Sequence, residues 1–251
     1  MKKKIWSIAL AAVGMLLIAA CGSDKKAAGN VLVMATNAEF PPYEYYKETK
    51  IVGLDIEFAE AIAKKLGLEL KVEDMAFDSI IPAVQSGKAD FGAAGMTVTA
   101  ERKTQVDFSD SYYTGRQVII VKEDNTEING PDDLSGKKIG VQLGTTGDLY
   151  ASDDYGDDSV ERYNKGFEAV QALSQGKIDA VIIDDQPAQE FVKSTSGLKV
   201  LATEYVEEHY AMCFKKGSDL VGKVNEAIKE LKADGTFDSI VDKYIGKGTE
   251  K

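Results

Sequence analysis

A cation and an anion stand beside two short apolar runs of this chain. Arg102 closes the segment Ala94-Gly95-Met96-Thr97-Val98-Thr99-Ala100-Glu101-Arg102, which supplies a glycine for close backbone approach, two hydroxyls and, at Thr99, a helix N-cap. A guanidinium grips a carboxylate through two parallel hydrogen bonds, which lysine cannot do. Asp184 ends the run Ala180-Val181-Ile182-Ile183, where a carboxylate suits an ammonium. The loop Leu143-Gly144-Thr145-Thr146-Gly147 follows a third run and opens a helix, so its N–H groups and the helix dipole favour an anion. It lacks the GK[ST] ending of a phosphate-binding P-loop. A fourth segment, Asn37-Ala38-Glu39-Phe40-Pro41-Pro42-Tyr43, takes a stiff extended path at its prolines and brings Phe40, which with Phe77 could sandwich an aliphatic stem.

Each of these residues also has a plainer reading. Arg102 could lie on a solvated helix face, GTTG could be a tight turn, and the phenylalanines could be core. Asp184 could cap the helix that follows, a role for which Asp185 competes. Together they amount to a cation, an anion, hydrogen-bond donors and apolar walls. That set matches a small zwitterion, which leaves water favourably only if both charges are met.

Such residues act together only if the fold gathers them. The spacing predicts strands over 31–36, 68–72, 91–94, 118–121, 138–143, 180–183 and 199–201. Helices are predicted from an N-cap at Asp55 to Gly67, and over 77–86, 167–175 and 186–193. Residues 83–94 (AVQSGKADFGAA) and 172–183 (ALSQGKIDAVII) repeat one pattern: helix end, Gly-Lys turn, Asp, then a buried strand. This alternation implies two α/β lobes with mostly parallel sheets, and ligands bind beyond the carboxyl ends of such strands. A late apolar strand over 210–214 and helices over 220–233 and 237–244 suggest that the first lobe is discontinuous. Segments near 113–117 and 205–210 would then cross between the lobes as a hinge.

Lys2, Lys3 and Lys4, then an apolar run to Ala20, read as a secretory signal, too short to span a membrane comfortably. Ile18-Ala19-Ala20-Cys21 resembles a bacterial lipobox, which implies lipidation at Cys21 and tethering to the bilayer through 21–29. The alternative is an ordinary signal peptide with a chance cysteine. Three of the 30 basic residues lie in 1–20 and none of the 41 acidic ones, so the remainder carries 27 against 41, a charge of −14. That excludes nucleic acid as a partner. With Cys21 lipidated, Cys213 is a lone thiol, and the single histidine, His209, rules out a histidine-based metal site. No cofactor motif and no metal spacing is present.

The runs NAEFPPYEY, GLDIEFAEAIAKKLG, MAFDSIIPAVQSGKADFGAAGMTVTAERKTQVDFSDSYY, LSGKKIGVQLGTTG and GKIDAVIIDDQPA resemble, in order, the polar amino-acid-binding proteins of ABC uptake systems, solute-binding family 3. The resemblance spans residues 30–245. It implies an α/β, two-lobed periplasmic-binding-protein fold of type II, with two hinge-crossing strands. Lobe 1 would comprise 30–113 and 208–251, and lobe 2 would comprise 114–207. It also implies that Arg102 binds the α-carboxylate with the N–H groups of Thr145 and Thr146, and that Asp184 binds the α-ammonium. Gly95 and Thr97, with Met96 between them, would lie near the α-carbon, and Phe40 and Phe77 would form the walls. Asn37, Glu39, Gln142 and Ile183 match positions that vary with the ligand side chain. Asn37 departs from an aspartate common in relatives that bind glutamine or basic ligands, and Gln142 and Ile183 replace the lysine and histidine of glutamine binders. Glu39 suits a cationic side chain or is simply an exposed loop residue. The implied mechanism is a monomeric clamp that closes on a free amino acid and delivers it to an ABC permease outside the cytoplasm. The rival readings are a dehydratase-like enzyme acting on a small acid, with Asp184 or Glu39 as proton donor, and a sensory ectodomain working through a partner.

Overall fold

The computed structural model describes residues 30–247. The expected signal over 1–20, the lipidation at Cys21 and the tether over 21–29 lie outside the described residues. The chain runs through β1 (Val31–Thr36), β2 (Glu39–Phe40), β3 (Glu44–Lys47), β4 (Lys50–Val52), α1 (Leu54–Lys65), β5 (Glu69–Asp74), α2 (Ile80–Ser86), β6 (Phe91–Gly92), α3 (Ala100–Gln105) and β7 (Val106–Phe108). It continues with β8 (Tyr113–Lys122), β9 (Ile139–Gln142), α4 (Thr146–Tyr155), β10 (Val160–Tyr163), α5 (Gly166–Ser174), β11 (Ala180–Asp184) and α6 (Asp185–Ser194). It returns through β12 (Leu198–Tyr210) and β13 (Cys213–Lys215) to α7 (Leu220–Ala233) and α8 (Thr236–Tyr244).

Two five-stranded sheets result, in the orders β5-β1-β6-β13-β7 and β10-β9-β11-β8-β12. They are mixed rather than mostly parallel. β1 runs parallel to β5 and β6, and β9 to β10 and β11. The antiparallel members, β13 in the first sheet and β8 and β12 in the second, are the strands in which the chain crosses or returns. The hinge segments expected near 113–117 and 205–210 are not separate strands. They form one end of β8 and β12, paired from Tyr113↔Tyr210 to Gln117↔Val206. The register shifts between Val200 and Val206, an irregularity that adds twist where the ladder leaves the sheet.

Burial on both faces explains the continuous apolar runs of the second sheet. Val118, Ile120, Val181 and Ile183 pack toward Val170 and Leu173 of α5 and Phe191 of α6. Their neighbours Ile119, Val121 and Ile182 face Ala151 of α4. In the first lobe α1, α7 and α8 pack together, while Ile80 and Val84 of α2 share a second cluster with Ala35 and Cys213. The sequence repeat is a structural repeat. Asp90 accepts the Val33 N–H at 2.8 Å, and Asp179 accepts the Lys138 N–H at 2.8 Å. Each aspartate pins its strand to the neighbouring one.

Asp55 is not the N-cap of α1. Gly53 takes that position without a side-chain bond, and Asp55 turns inward, fully buried. Aspartate is as common in a first turn as at a cap, because the dipole favours it in both places. The three-stranded ladder β2-β3-β4 was not predicted; it lies over 39–52, after β1.

Candidate functional site

β1, the loop after β6, the loop after β9 and the end of β11 all point into one narrow cavity. Its walls include Asn37, Phe40, Phe77, Gly95, Thr97 and Arg102 from the first lobe, and Gln142, Thr145, Thr146 and Asp184 from the second. Ten of the twelve expected ligand-binding residues are thus brought together.

Thr99 caps α3, accepting the Arg102 N–H at 3.0 Å. The Arg102 side chain, 5 % exposed, donates to Thr97 O at 2.8 Å and, across the lobes, to Gly144 O at 3.1 Å. Its guanidinium lies 5.3 Å from the centre of the Phe77 ring, a cation–π contact. Burial lowers its pKa, while the charge of Glu208 opposes that. Opposite it, Thr145 caps α4, accepting the Asp148 N–H. Thr146 opens that helix, where first-turn N–H groups have no partner within the helix. Gly95 has φ +51, and a Cβ there would lie 2.9 Å from the Phe40 ring, so only glycine carries the backbone past the aromatic wall.

Asp184 occupies the N-cap position of α6 but makes no cap bond. Its carboxylate accepts from Gln117 Nε2 at 2.8 Å and from the Tyr210 hydroxyl. Tyr210 reaches it because Gly115 leaves space: a Cβ there would lie 2.3 Å from the hydroxyl. Burial pushes the Asp184 carboxyl well above the usual range, and the charge of Glu208 adds to this. An ammonium beside Asp184 would reverse that shift.

Two expected residues lie elsewhere. Glu39 points to the rim and pairs with Lys165 at 2.6 Å, across the lobes. Met96 alternates away from Gly95 and Thr97 and joins the core around Ile80 and Val84. Ile183, which matches a ligand-dependent position, likewise packs in the core. Asn37 and Gln142 meet across the cavity, Gln142 Nε2 donating to Asn37 Oδ1 at 2.9 Å.

The sequence reading missed a second set of residues. Glu208, 2 % exposed, accepts from Thr97 Oγ1 and Gln117 Nε2, both at 3.0 Å, and its Oε1 has no partner. Glu44, 1 % exposed, lines the cavity, and neither of its oxygens meets an N–H or O–H donor. Asp55 lies beside it at the start of α1, its N–H bonded to Tyr43 O at 2.9 Å. The Asp55 carboxylate accepts the Gly95 N–H at 2.9 Å and the Tyr112 hydroxyl at 2.8 Å. Burial raises both groups, Asp55 to about 6 and Glu44 further, with Asp55 adding to the rise at Glu44.

The fold and this cavity define a two-lobed clamp able to hold a small solute with a carboxylate at one end and an ammonium close by. The chain belongs to the bacterial extracellular solute-binding proteins, family 3, whose model matches residues 32–247. It is 38% identical over 252 residues to the arginine-binding extracellular protein ArtP of Bacillus subtilis, covering 97% of this chain and 98% of that one. An ancestral arginine-binding protein bound to arginine has a similar structure: TM-score 0.83 at 44% identity, covering 86% of this chain and 99% of the other. An ancestral arginine-binding protein bound to glutamine matches at TM-score 0.83 and 43% identity, over 87% of this chain and 99% of the other. Among the described residues no helix is long and apolar enough to cross a membrane.

Proposed function

We propose that this protein is the substrate-binding component of an ABC uptake system and captures a free cationic L-amino acid of the arginine class in the cavity between its lobes. Arg102 and the α4 N-terminus take the α-carboxylate, Asp184 takes the α-ammonium, and the side chain passes between Phe40 and Phe77. One observation carries the choice of a cation: the Glu44 carboxyl faces the cavity, buried and without a donor. Arg102 is the one buried cation among the described residues, against the buried acids Glu44, Asp55, Asp184 and Glu208 nearby. A neutral side chain brings Glu44 no counter-charge, whereas a ligand with a second cation does. Arginine-binding relatives in Bacillus subtilis and Pseudomonas aeruginosa point the same way.

A neutral polar side chain is the second reading. Asn37 and Gln142 offer amide groups to it, and one similar protein holds glutamine. The two lobes would comprise 30–113 with 208–251, and 114–207, closing as a monomer on the hinge ladder. Lipid at Cys21 would hold the clamp near its permease, and no turnover is part of this reading. Calorimetry with L-arginine, L-lysine, L-histidine, L-glutamine and L-cystine tests the specificity. At a hundred times its Kd the right ligand adds about 2.7 kcal/mol of stability. Glutamine binding more tightly than arginine and lysine would overturn the cationic assignment.

A further inference from the structure

We propose that capture of a cationic amino acid expels one proton from the Glu44–Asp55 carboxyl pair beside the cavity, so that uptake of the charged ligand is linked to pH while a neutral ligand of the same shape is not. The inference rests on the cationic-ligand reading above. Glu44 opens β3 and Asp55 lies in the first turn of α1, its N–H bonded to Tyr43 O at 2.9 Å, so both buried carboxyls lie where the β2-β3-β4 ladder packs on the helix. Asp55 accepts from the Gly95 N–H and the Tyr112 hydroxyl, which stabilise its anion. Glu44 has no donor of either kind. The proton of the pair therefore resides on Glu44. Burial is the first cause that holds the proton on Glu44, and the charged groups acting on it from the surrounding elements, Asp55 of α1, Asp184 of β11 and Asp74 of β5, are all acids and add to it. Before binding the pair carries one negative charge.

A guanidinium or ammonium arriving against Glu44 favours its ionised form. The O–H bond of Glu44 breaks, the proton passes to bulk buffer, and the ligand cation takes its place as the partner of Glu44. Asp55 keeps its Gly95 and Tyr112 donors, so the loop bearing Gly95 does not move. The pair then carries two negative charges against one positive charge on the ligand.

The sign of the linkage follows. Because the bound state holds fewer protons, arginine binding tightens as pH rises through the range where Glu44 of the free protein titrates. The gain is up to about tenfold in Kd per pH unit, and it ends once that proton is already lost.

The test is calorimetry of L-arginine and its uncharged isostere L-citrulline in phosphate, PIPES and Tris at one pH, where the slope of enthalpy against buffer ionisation enthalpy counts protons. The wild-type protein should release about one more proton with arginine than with citrulline. Any release common to both belongs to Asp184, which faces the α-ammonium of either ligand. In Glu44→Gln the extra proton should vanish. Tight arginine binding by the wild type with no extra proton overturns the proton expulsion but leaves the cationic assignment standing. Failure of arginine to bind overturns both.

Discussion

Replacing Arg102 by alanine removes the one buried cation among the described residues together with a tie between the lobes. The guanidinium donates to Thr97 O at 2.8 Å and to Gly144 O at 3.1 Å, so its loss frees a carbonyl on each side of the cavity. In the ligand-free protein the stability cost should be about 1–3 kcal/mol, with about 2–4 °C in Tm for each kcal/mol in a domain of this size. The cost to binding is larger, because the α-carboxylate would be buried with its counter-charge gone. That penalty is about 3–5 kcal/mol, a rise in Kd of roughly two to nearly four orders of magnitude. A ligand concentration that raises the wild-type Tm by about 5–10 °C should leave the variant unmoved. Arg102→Lys keeps the charge but not the fork and should fall between the two. Calorimetry with L-arginine, with circular dichroism to confirm the fold, reads the result. A Kd within tenfold of wild type in a folded Arg102→Ala protein would remove this residue from the site.

The Glu39–Lys165 pair at the rim is half exposed, so Lys165→Ala should speed ligand release only a fewfold in stopped-flow, with the difference fading as salt is added. A change above tenfold, or one insensitive to salt, would give the pair a deeper role. Cys213 is fully buried, and burial pushes its thiol up to about 12. The thiolate is the reactive form, so a Cys21→Ala protein should resist thiol reagents at neutral pH until denaturant is added, and rapid labelling of the native protein would contradict the packing. The same substitution in cells should abolish palmitate labelling and release the protein from the membrane while leaving arginine affinity unchanged; retention on the membrane would disprove the lipid anchor.

The charged ends of the site were legible because each lies just beyond a strand of the repeat, Asp184 at its very end and Arg102 past the loop that follows, and because the runs around them carry the family resemblance. The buried acids were not. Glu44 sits in the run PPYEY, where a polar residue between tyrosines reads as the outer face of an edge strand. Glu208 follows Glu207, and a period of two cannot say which of two adjacent glutamates turns inward; the structure exposes Glu207 and buries Glu208. The same ambiguity misplaced Met96, since alternation turns it to the core as it turns Thr97 to the cavity. Glu39 lies one step beyond the cavity because its partner, Lys165, is 126 residues away in sequence, and a contact of that range leaves no local pattern. The antiparallel strands β8, β12 and β13 were found as strands, but their direction is set by where the chain crosses, which hydrophobic periodicity does not encode.

The position of β13 bears on how such a chain matures. It fills the gap between β6 and β7, which were made long before it, on the far side of the whole second sheet. The returning chain also fastens the segment that carries the cation: Val98 N–H bonds to His209 O, and Ala211 N–H to Met96 O, both at 3.0 Å. A polypeptide emerging from a translocon amino end first can assemble the second sheet from contiguous sequence, while the first waits with two open strand edges. The half of the pocket bearing Arg102 is therefore assembled last, and a product cut short of Cys213 is unable to grip its solute rather than merely weaker at doing so.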